Sequence, residues 1–286
     1  MNVLVTGCYG QLGTEMRKLA ASDQLHRWYF TDIDTLDICD SDAVECYFTE
    51  NNIDICVNCA AYTAVDRAED EPELAEKVNV TASKTLAESC KRHQNLLVHV
   101  STDYVFDGQG DRPYREDDPT GPTSVYGKTK LEGEKVIQES DCRYCIVRTA
   151  WLYSSTGKNF VKTMLSLADT RDSINVVCDQ KGTPTWAGDL ADAIMHLINR
   201  YTTEPVQEIF HFTNEGVTTW YDFTVAILDI AGKTCQVNPI TTDQYPTKAT
   251  RPAYSVLDKS KIKQALGIEI PFWKDSLVKC IEELKN

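Results

Sequence analysis

Tyr126 and Lys130, in the run VYGKTKLEGE, stand four residues apart, the spacing that stacks two side chains on one face of a helix. A free tyrosine ionises at about 10, and a lysine cation held beside it lowers that value. Such a phenol can hand its proton to an oxygen while hydride arrives at the adjoining carbon, which is the chemistry of carbonyl reduction. Ser101-Thr102-Asp103 follows the apolar run LLVHV, so it falls at the carboxyl end of a strand, where open α/β sheets bind ligands. Thr102 is there a donor for the same oxygen. A Tyr-x-x-x-Lys pair alone is as readily a plain helical contact; its company gives it meaning.

That company includes a place for the hydride source. Gly7-x-x-Gly10-x-x-Gly13, with Gln11 and Leu12 inside it, lies between a first apolar run, NVLVT, and a helical stretch. Gly7 suits a tight turn, Gly10 lets backbone approach a pyrophosphate, and Gly13 lets helix and strand pack closely. The helix start then offers free N–H groups to phosphates. The arrangement predicts a nicotinamide dinucleotide, NADPH or NADH, whose oxidised ring adds its positive charge to that of Lys130 beside Tyr126. Asp32 ends the second strand, where a carboxylate accepts bonds from the adenosine ribose and favours NAD over NADP. The segment TDIDTLD holds three aspartates, and a solvated turn is the other reading of it.

The elements that must hold these groups alternate. Strands are predicted over 2–6, 27–31, 53–59, 96–101 and 144–149, and helices over 13–21, 41–51, 73–92 and 125–138. Near-continuous apolar strands separated by helices predict a parallel sheet covered on both faces, the doubly wound Rossmann type of α/β fold. Residues 1–150 form the NAD(P)-binding domain on this reading. Residues 151–286, with helices over 159–168, 189–201 and 221–231 among turn-rich segments, form mainly a smaller α+β substrate-binding domain. Short strands near 174–178 and 208–213 are candidates to return to the main sheet. Trp151 and Trp220 occupy turn-flanked positions where an indole could cover a sugar, or equally fill a core.

Composition sets outer bounds. The 286 residues, 42% hydrophobic and 25% charged, suffice for one large or two modest cores. A net charge of -14 argues against a nucleic-acid partner or an anionic membrane surface. The opening MNVLVTGCYGQLG lacks the basic and long apolar regions of a signal peptide, and no stretch approaches the roughly 18 apolar residues of a membrane span. A cytoplasmic enzyme is expected. Eleven cysteines include the pairs Cys56/Cys59 and Cys142/Cys145, but an offset of three in a strand sends side chains to opposite faces. Reduced structural thiols are expected, not a metal site. His26, His93, His99, His196 and His211 form no cluster and read as structural or solvated.

At these residues the sequence resembles the extended short-chain dehydrogenase/reductase family, and the likeness covers nearly the whole chain. It runs through VLVTGCYGQLG, VNCAAYTAVDRAE, VNVTASKTLAESC, VSTDYVFDG, VYGKTKLEGE, VRTAWLY, NFVKTML, GTPTWAGDLA, TTWYDF and RPAYSVLD. The resemblance implies a reductase that makes dTDP-L-rhamnose from the corresponding 4-keto sugar with NADPH or NADH. It implies Tyr126 as proton donor, Lys130 as its partner and ribose anchor, and Thr102 on the keto oxygen. Asp103, Tyr104 and Trp151 would meet the nucleotide-sugar substrate, and Arg251 its diphosphate. Asp37 and Ile38 would lie against adenine, and Ala60, Ala61, Tyr62 and Thr63 along the nicotinamide half.

Some relatives dimerise around Mg²⁺ through glutamates. Glu15 is present here but the second position falls on Gly188, with Asp189 beside it, so no metal is expected; a monomer and a homodimer both fit. Sibling dehydratases carry a glutamate after the Thr-Asp pair, where this chain has Tyr104, a poor base at its ordinary pKa. That favours plain reduction over the dehydratase and epimerase readings. A non-catalytic regulatory subunit of the same fold is the remaining alternative, and the intact Thr102, Tyr126 and Lys130 weigh against it.

Overall fold

The computed structural model describes residues 1–202 and 204–285, so Asn286, the last residue of the expected second domain, lies outside the described residues. The first half alternates β1 (Asn2–Thr6), α1 (Gln11–Ala20), β2 (Arg27–Thr31), α2 (Ser41–Asn51) and β3 (Ile55–Asn58), then short α3 (Val65–Ala68) and α4 (Pro72–Glu76). It continues through α5 (Ala82–His93), β4 (Leu96–Thr102), α6 (Val125–Glu139) and β5 (Arg143–Thr149). The second half adds β6 (Leu152–Tyr153), α7 (Phe160–Ala168), β7 (Ser173–Val177), β8 (Lys181–Gly182), β9 (Thr185–Trp186) and α8 (Ala187–Tyr201). After these come β10 (Gln207–His211), β11 (Thr218–Thr219), α9 (Trp220–Ala231), β12 (Gln236–Ile240), α10 (Ser260–Leu266) and α11 (Trp273–Lys285).

The main sheet has the order β10-β5-β4-β3-β1-β2, and every neighbouring pair in it is parallel. This is the expected doubly wound fold. Its strands are apolar on both faces because both faces are covered. Alternation then sorts their side chains into two cores. Val3, Val5, Ile55, Val57, Leu96 and Val98 pack with Leu12 and Met16 of α1 and with Leu190, Ile194 and Leu197 of α8. Leu4, Cys56, Leu97 and Ile146 face the other way, toward Val44 and Phe48 of α2 and Leu86 and Ala87 of α5. The order reverses at β1, which opens a crevice above the carboxyl ends of β1 and β3.

Two local features depart from the pattern read in the sequence. The helix expected over 73–92 is α4 and α5 joined by a π-helical turn, Lys77–Thr81. That turn lets α6 pass closely, since a Cβ on Gly133 would lie 2.3 Å from the Asn79 carbonyl oxygen. The strand near 174–178 does not return to the main sheet: β7 pairs with β12 in a separate two-stranded sheet. Alternation in SINVV shows a strand with one buried face but carries no information about its partner. The strand near 208–213 is β10, paired with β5.

α8 and β10 therefore complete the first core although they follow residue 150. A third core, built on Tyr153, Val161, Ile174, Phe223, Ile227, Trp273 and Leu277, belongs to the second half. The eleven cysteines are free thiols, and among the described residues no helix is long and apolar enough to cross a membrane.

Candidate active site

The glycine turn is built by close approach. Gly7 sits at φ +65, and a Cβ there would lie 2.7 Å from the Ala60 backbone nitrogen; a Cβ on Gly13 would lie 2.3 Å from the Gly7 carbonyl oxygen. Any larger residue would push α1 away from β1 and β3. Gly10 caps α1 with no side-chain bond to its first N–H groups, which leaves these free for an anion. Asp32 folds back on the same turn, accepting from the Tyr9 N–H at 3.0 Å and from its neighbour Ile33 at 2.9 Å.

These residues line one cavity of about 660 Å³ over the carboxyl edge of the sheet, within the usual range for a cofactor or substrate site. Gly7, Gly10, Gln11, Leu12, Asp32, Asp37, Ile38, Ala60, Ala61 and Thr63 form one end of it, and Thr102, Asp103, Tyr104, Tyr126, Lys130 and Trp151 the other. The Gln11 side-chain oxygen is buried there without a protein partner. A cradle closed to any Cβ, free helix N–H groups and an orphaned polar atom together fit a dinucleotide. Gly13 lies beneath as packing. Tyr62 turns elsewhere, its hydroxyl donating to Glu71 at 2.7 Å. Arg251 does not line the cavity either: it donates to Asp66 at 2.5 Å, while its other terminal nitrogen is buried without a partner.

At the reactive end, Tyr126, Lys130 and Glu134 occupy successive turns of α6, all buried. Burial pushes the Tyr126 phenol up to about 12, against a lowering by Thr102. Burial also pushes the Lys130 amine down to about 8, with Glu134 acting the other way. The lysine cation was expected to draw the phenol toward neutrality; desolvation of both groups outweighs that attraction in the protein alone. Tyr126 therefore holds its proton at neutral pH, as an acid must. Thr102 turns its hydroxyl to the Asp103 carboxylate at 2.9 Å. The second Asp103 oxygen is buried without a partner, and burial raises this carboxyl to about 7. Burial also pushes the Tyr104 phenol up, which removes it further from service as a base.

Trp151 is held at φ 50, a left-handed backbone that side chains with a Cβ rarely adopt. Its indole stacks on Trp220, with centroids 3.5 Å apart. Gly182 makes room for it, since a Cβ there would lie 2.5 Å from the ring.

Several contributors escaped the sequence reading. Lys158 and Asn159 close the cavity from the second half. His99, read as structural or solvated, touches Lys130 Nζ at 3.2 Å. Behind it Ser101 donates to Glu134 at 2.5 Å, and Glu134 pairs with Arg148 at 2.7 Å with both side chains buried. The signal was present in LLVHVST, where alternation puts His99 and Ser101 on one face, the face that α6 covers. The Glu15 carboxylate is engaged by Ser154 at 2.9 Å and by Lys18 of its own helix. Asp189 is bonded to Asn214 and Ser276. These carboxylates already have internal partners, a donor set that does not fit a bridging metal.

The model of the family described as RmlD substrate binding domain matches residues 1–286. A dTDP-4-dehydrorhamnose reductase of Aggregatibacter actinomycetemcomitans is 43% identical over 283 residues, covering 96% of each chain. The crystal structure of a dTDP-4-dehydrorhamnose reductase from Clostridium acetobutylicum superposes with a TM-score of 0.95 at 41% identity, covering 100% of both chains. That of a dTDP-4-dehydrorhamnose reductase from Bacillus anthracis in complex with NADP does so with a TM-score of 0.91 at 34% identity, covering 99% of both.

Proposed function

The chain belongs to the RmlD substrate binding domain family, and from that premise we propose that it reduces the 4-keto group of dTDP-4-dehydro-L-rhamnose to give dTDP-L-rhamnose. The observation that carries the reading is one cavity holding both the glycine turn and the set Thr102, Tyr126 and Lys130. NADPH or NADH, when bound, supplies the hydride. The turn at Gly7 and Gly10 takes the pyrophosphate on the free N–H groups of α1. Asp32, Asp37 and Ile38 receive the adenosine end, and Lys130 the nicotinamide ribose.

Thr102 and Tyr126 receive the keto oxygen. As C4 gains hydride, the Tyr126 O–H passes its proton to that oxygen, the C–O double bond becomes a hydroxyl, and the phenolate left behind recovers a proton from solvent. Asp103, Tyr104 and Trp151 hold the sugar. Arg251, freed from Asp66, is the group for the diphosphate. The third core and its loops form the substrate-binding part of the molecule, and residues 1–150 with α8 and β10 the cofactor part. Eleven free thiols suit the reducing cytoplasm.

The test is oxidation of NADPH and of NADH in the presence of dTDP-4-dehydro-L-rhamnose, with Tyr126→Phe alongside. Turnover is expected to fall about 10²- to 10⁴-fold in the variant, the usual contribution of a positioned acid, with cofactor affinity retained. Unchanged turnover in Tyr126→Phe would remove the tyrosine from this role. Absence of oxidation with either cofactor, despite cofactor binding, would move the chain to another sugar or to a regulatory role.

A further inference from the structure

The glycine turn leaves a charge unbalanced at the cofactor end of the cavity. A dinucleotide pyrophosphate is negative on both phosphates, and the turn at Gly7 and Gly10 offers it backbone N–H groups only. The surroundings are acidic: Asp32 and Asp37 line the same cavity, and the chain as a whole carries a net charge of -14. Among the described residues, Lys130 and Lys158 are the cations of the cavity wall. Lys130 is buried at the reactive end and donates to the Val100 carbonyl oxygen at 2.7 Å. Lys158 is exposed where it lines the cavity, and its ammonium is bonded to none of the described residues.

The loop that carries Lys158 is built onto the helix that the glycine turn opens. Gly157, at φ +67, sets its backbone against the side chain of Gln11, the first residue of α1: a Cβ there would lie 3.1 Å from Gln11 Cγ. One turn along α1, the buried Glu15 carboxylate accepts from the Ser154 hydroxyl at 2.9 Å, and that hydroxyl accepts from the Thr156 N–H at 3.0 Å. Asn159 closes the loop behind Lys158. Its side-chain nitrogen donates to the Ser154 and Thr156 carbonyl oxygens at 2.7 and 3.2 Å, and its oxygen caps α7 by accepting from the Lys162 N–H at 3.1 Å. Lys158 thus stands on a backbone held on both sides, and docking its side chain on an anion costs little further ordering of the chain.

We propose that Lys158 is the counter-charge of the cofactor pyrophosphate, folding over it from the second half of the chain while the start of α1 holds it from below. The inference rests on the reductase reading in taking NADPH or NADH as the cofactor. Two other phosphate groups could draw the lysine, and its placement separates it from both. The loop touches Gln11, where the cofactor phosphates meet the helix N–H groups. The adenosine ribose, which carries the extra phosphate of NADPH, belongs to Asp32 at the end of β2. The diphosphate of the sugar belongs with Arg251, which is held by Asp66 of α3. An exposed ammonium forms a pair that solvent and salt screen, and such a pair suits a cofactor that leaves after each turnover.

The test is calorimetric binding of NADPH, NADH and ADP-ribose to the wild type, Lys158→Met and Lys158→Arg. Methionine keeps the apolar stem and removes the charge, and an exposed site tolerates it. The expected result is a Kd about 5- to 10-fold higher for all three ligands in Lys158→Met, since all three carry the pyrophosphate, with most of the loss restored in Lys158→Arg. Added salt should weaken NADH binding to the wild type more than to Lys158→Met. An unchanged Kd for all three ligands overturns the proposal. A loss confined to NADPH overturns it too, by giving the lysine to the phosphate on the adenosine ribose. So does a raised KM for the nucleotide sugar with cofactor Kd unaltered, which gives it to the sugar diphosphate. Cofactor binding is read without sugar and without turnover. An idle Lys158 therefore leaves the reductase assignment standing, and a failure to reduce the sugar leaves the lysine's role in cofactor binding to be read on its own.

Discussion

Burial raises the Asp103 carboxyl to about 7 from an ordinary 3.8, although Thr102 donates to one of its oxygens. Between those two values the folded chain holds a proton that the unfolded chain has released. Stability therefore falls as pH rises through that window and stays low above it. Asp103→Asn keeps the shape without the charge. It is expected to be more stable than the parent at pH 8 by on the order of a few kcal/mol, and nearly equal to it at pH 4. Urea unfolding at the two pH values measures this; an equal difference at both would show that the carboxyl is not desolvated as described. The same substitution should impair turnover, because Asp103 is proposed to meet the sugar. Tyr126 obeys the same physics: burial raises its phenol and keeps it protonated, the state that the proposed proton transfer needs.

The site is assembled by the carboxyl ends of strands, one helix and one strained turn. The spacing Tyr126 to Lys130, the glycine triplet and the position of Ser101-Thr102-Asp103 after an apolar run were legible, because helix and strand periods place side chains without knowledge of the rest. His99 was not, because a single histidine shows no partner in sequence until the α6 face of β4, which it shares with Ser101, is in place. The left-handed backbone of Trp151 and the pairing of β7 with β12 left no local pattern; both are set by tertiary contacts. Gly182 is a direct probe of that strained turn. A Cβ there would meet the Trp151 ring at 2.5 Å, and the ring cannot retreat because Trp220 stacks on it. Gly182→Ala is expected to raise KM for the nucleotide sugar about tenfold, in line with the ~1–3 kcal/mol cost of overpacking. NADPH affinity should change little. A weakened NADPH affinity with KM for the sugar unchanged would place Trp151 with the cofactor instead.

Across the molecule, the chain returns repeatedly to the first half: α8, α10 and β10 complete its core, and Glu283 of α11 meets Lys18 of α1. Glu134 and Arg148 form the buried pair that seats α6 on the sheet, with side chains 1% and 3% exposed. Removing one partner leaves the other charge buried alone. Glu134→Ala is expected to lose about 3–5 kcal/mol, and Glu134→Met with Arg148→Met to recover most of it. Denaturant unfolding of the three proteins decides between this and a surface-like pair of little consequence. The chemistry proposed for the whole assembly is a consumed hydride, and isotope transfer reads it directly. With NADPH deuterated at C4 of the nicotinamide and dTDP-4-dehydro-L-rhamnose, the account predicts dTDP-L-rhamnose carrying one deuterium at C4 for each cofactor oxidised. A sugar converted without net loss of NADPH, or without deuterium at C4, would contradict it.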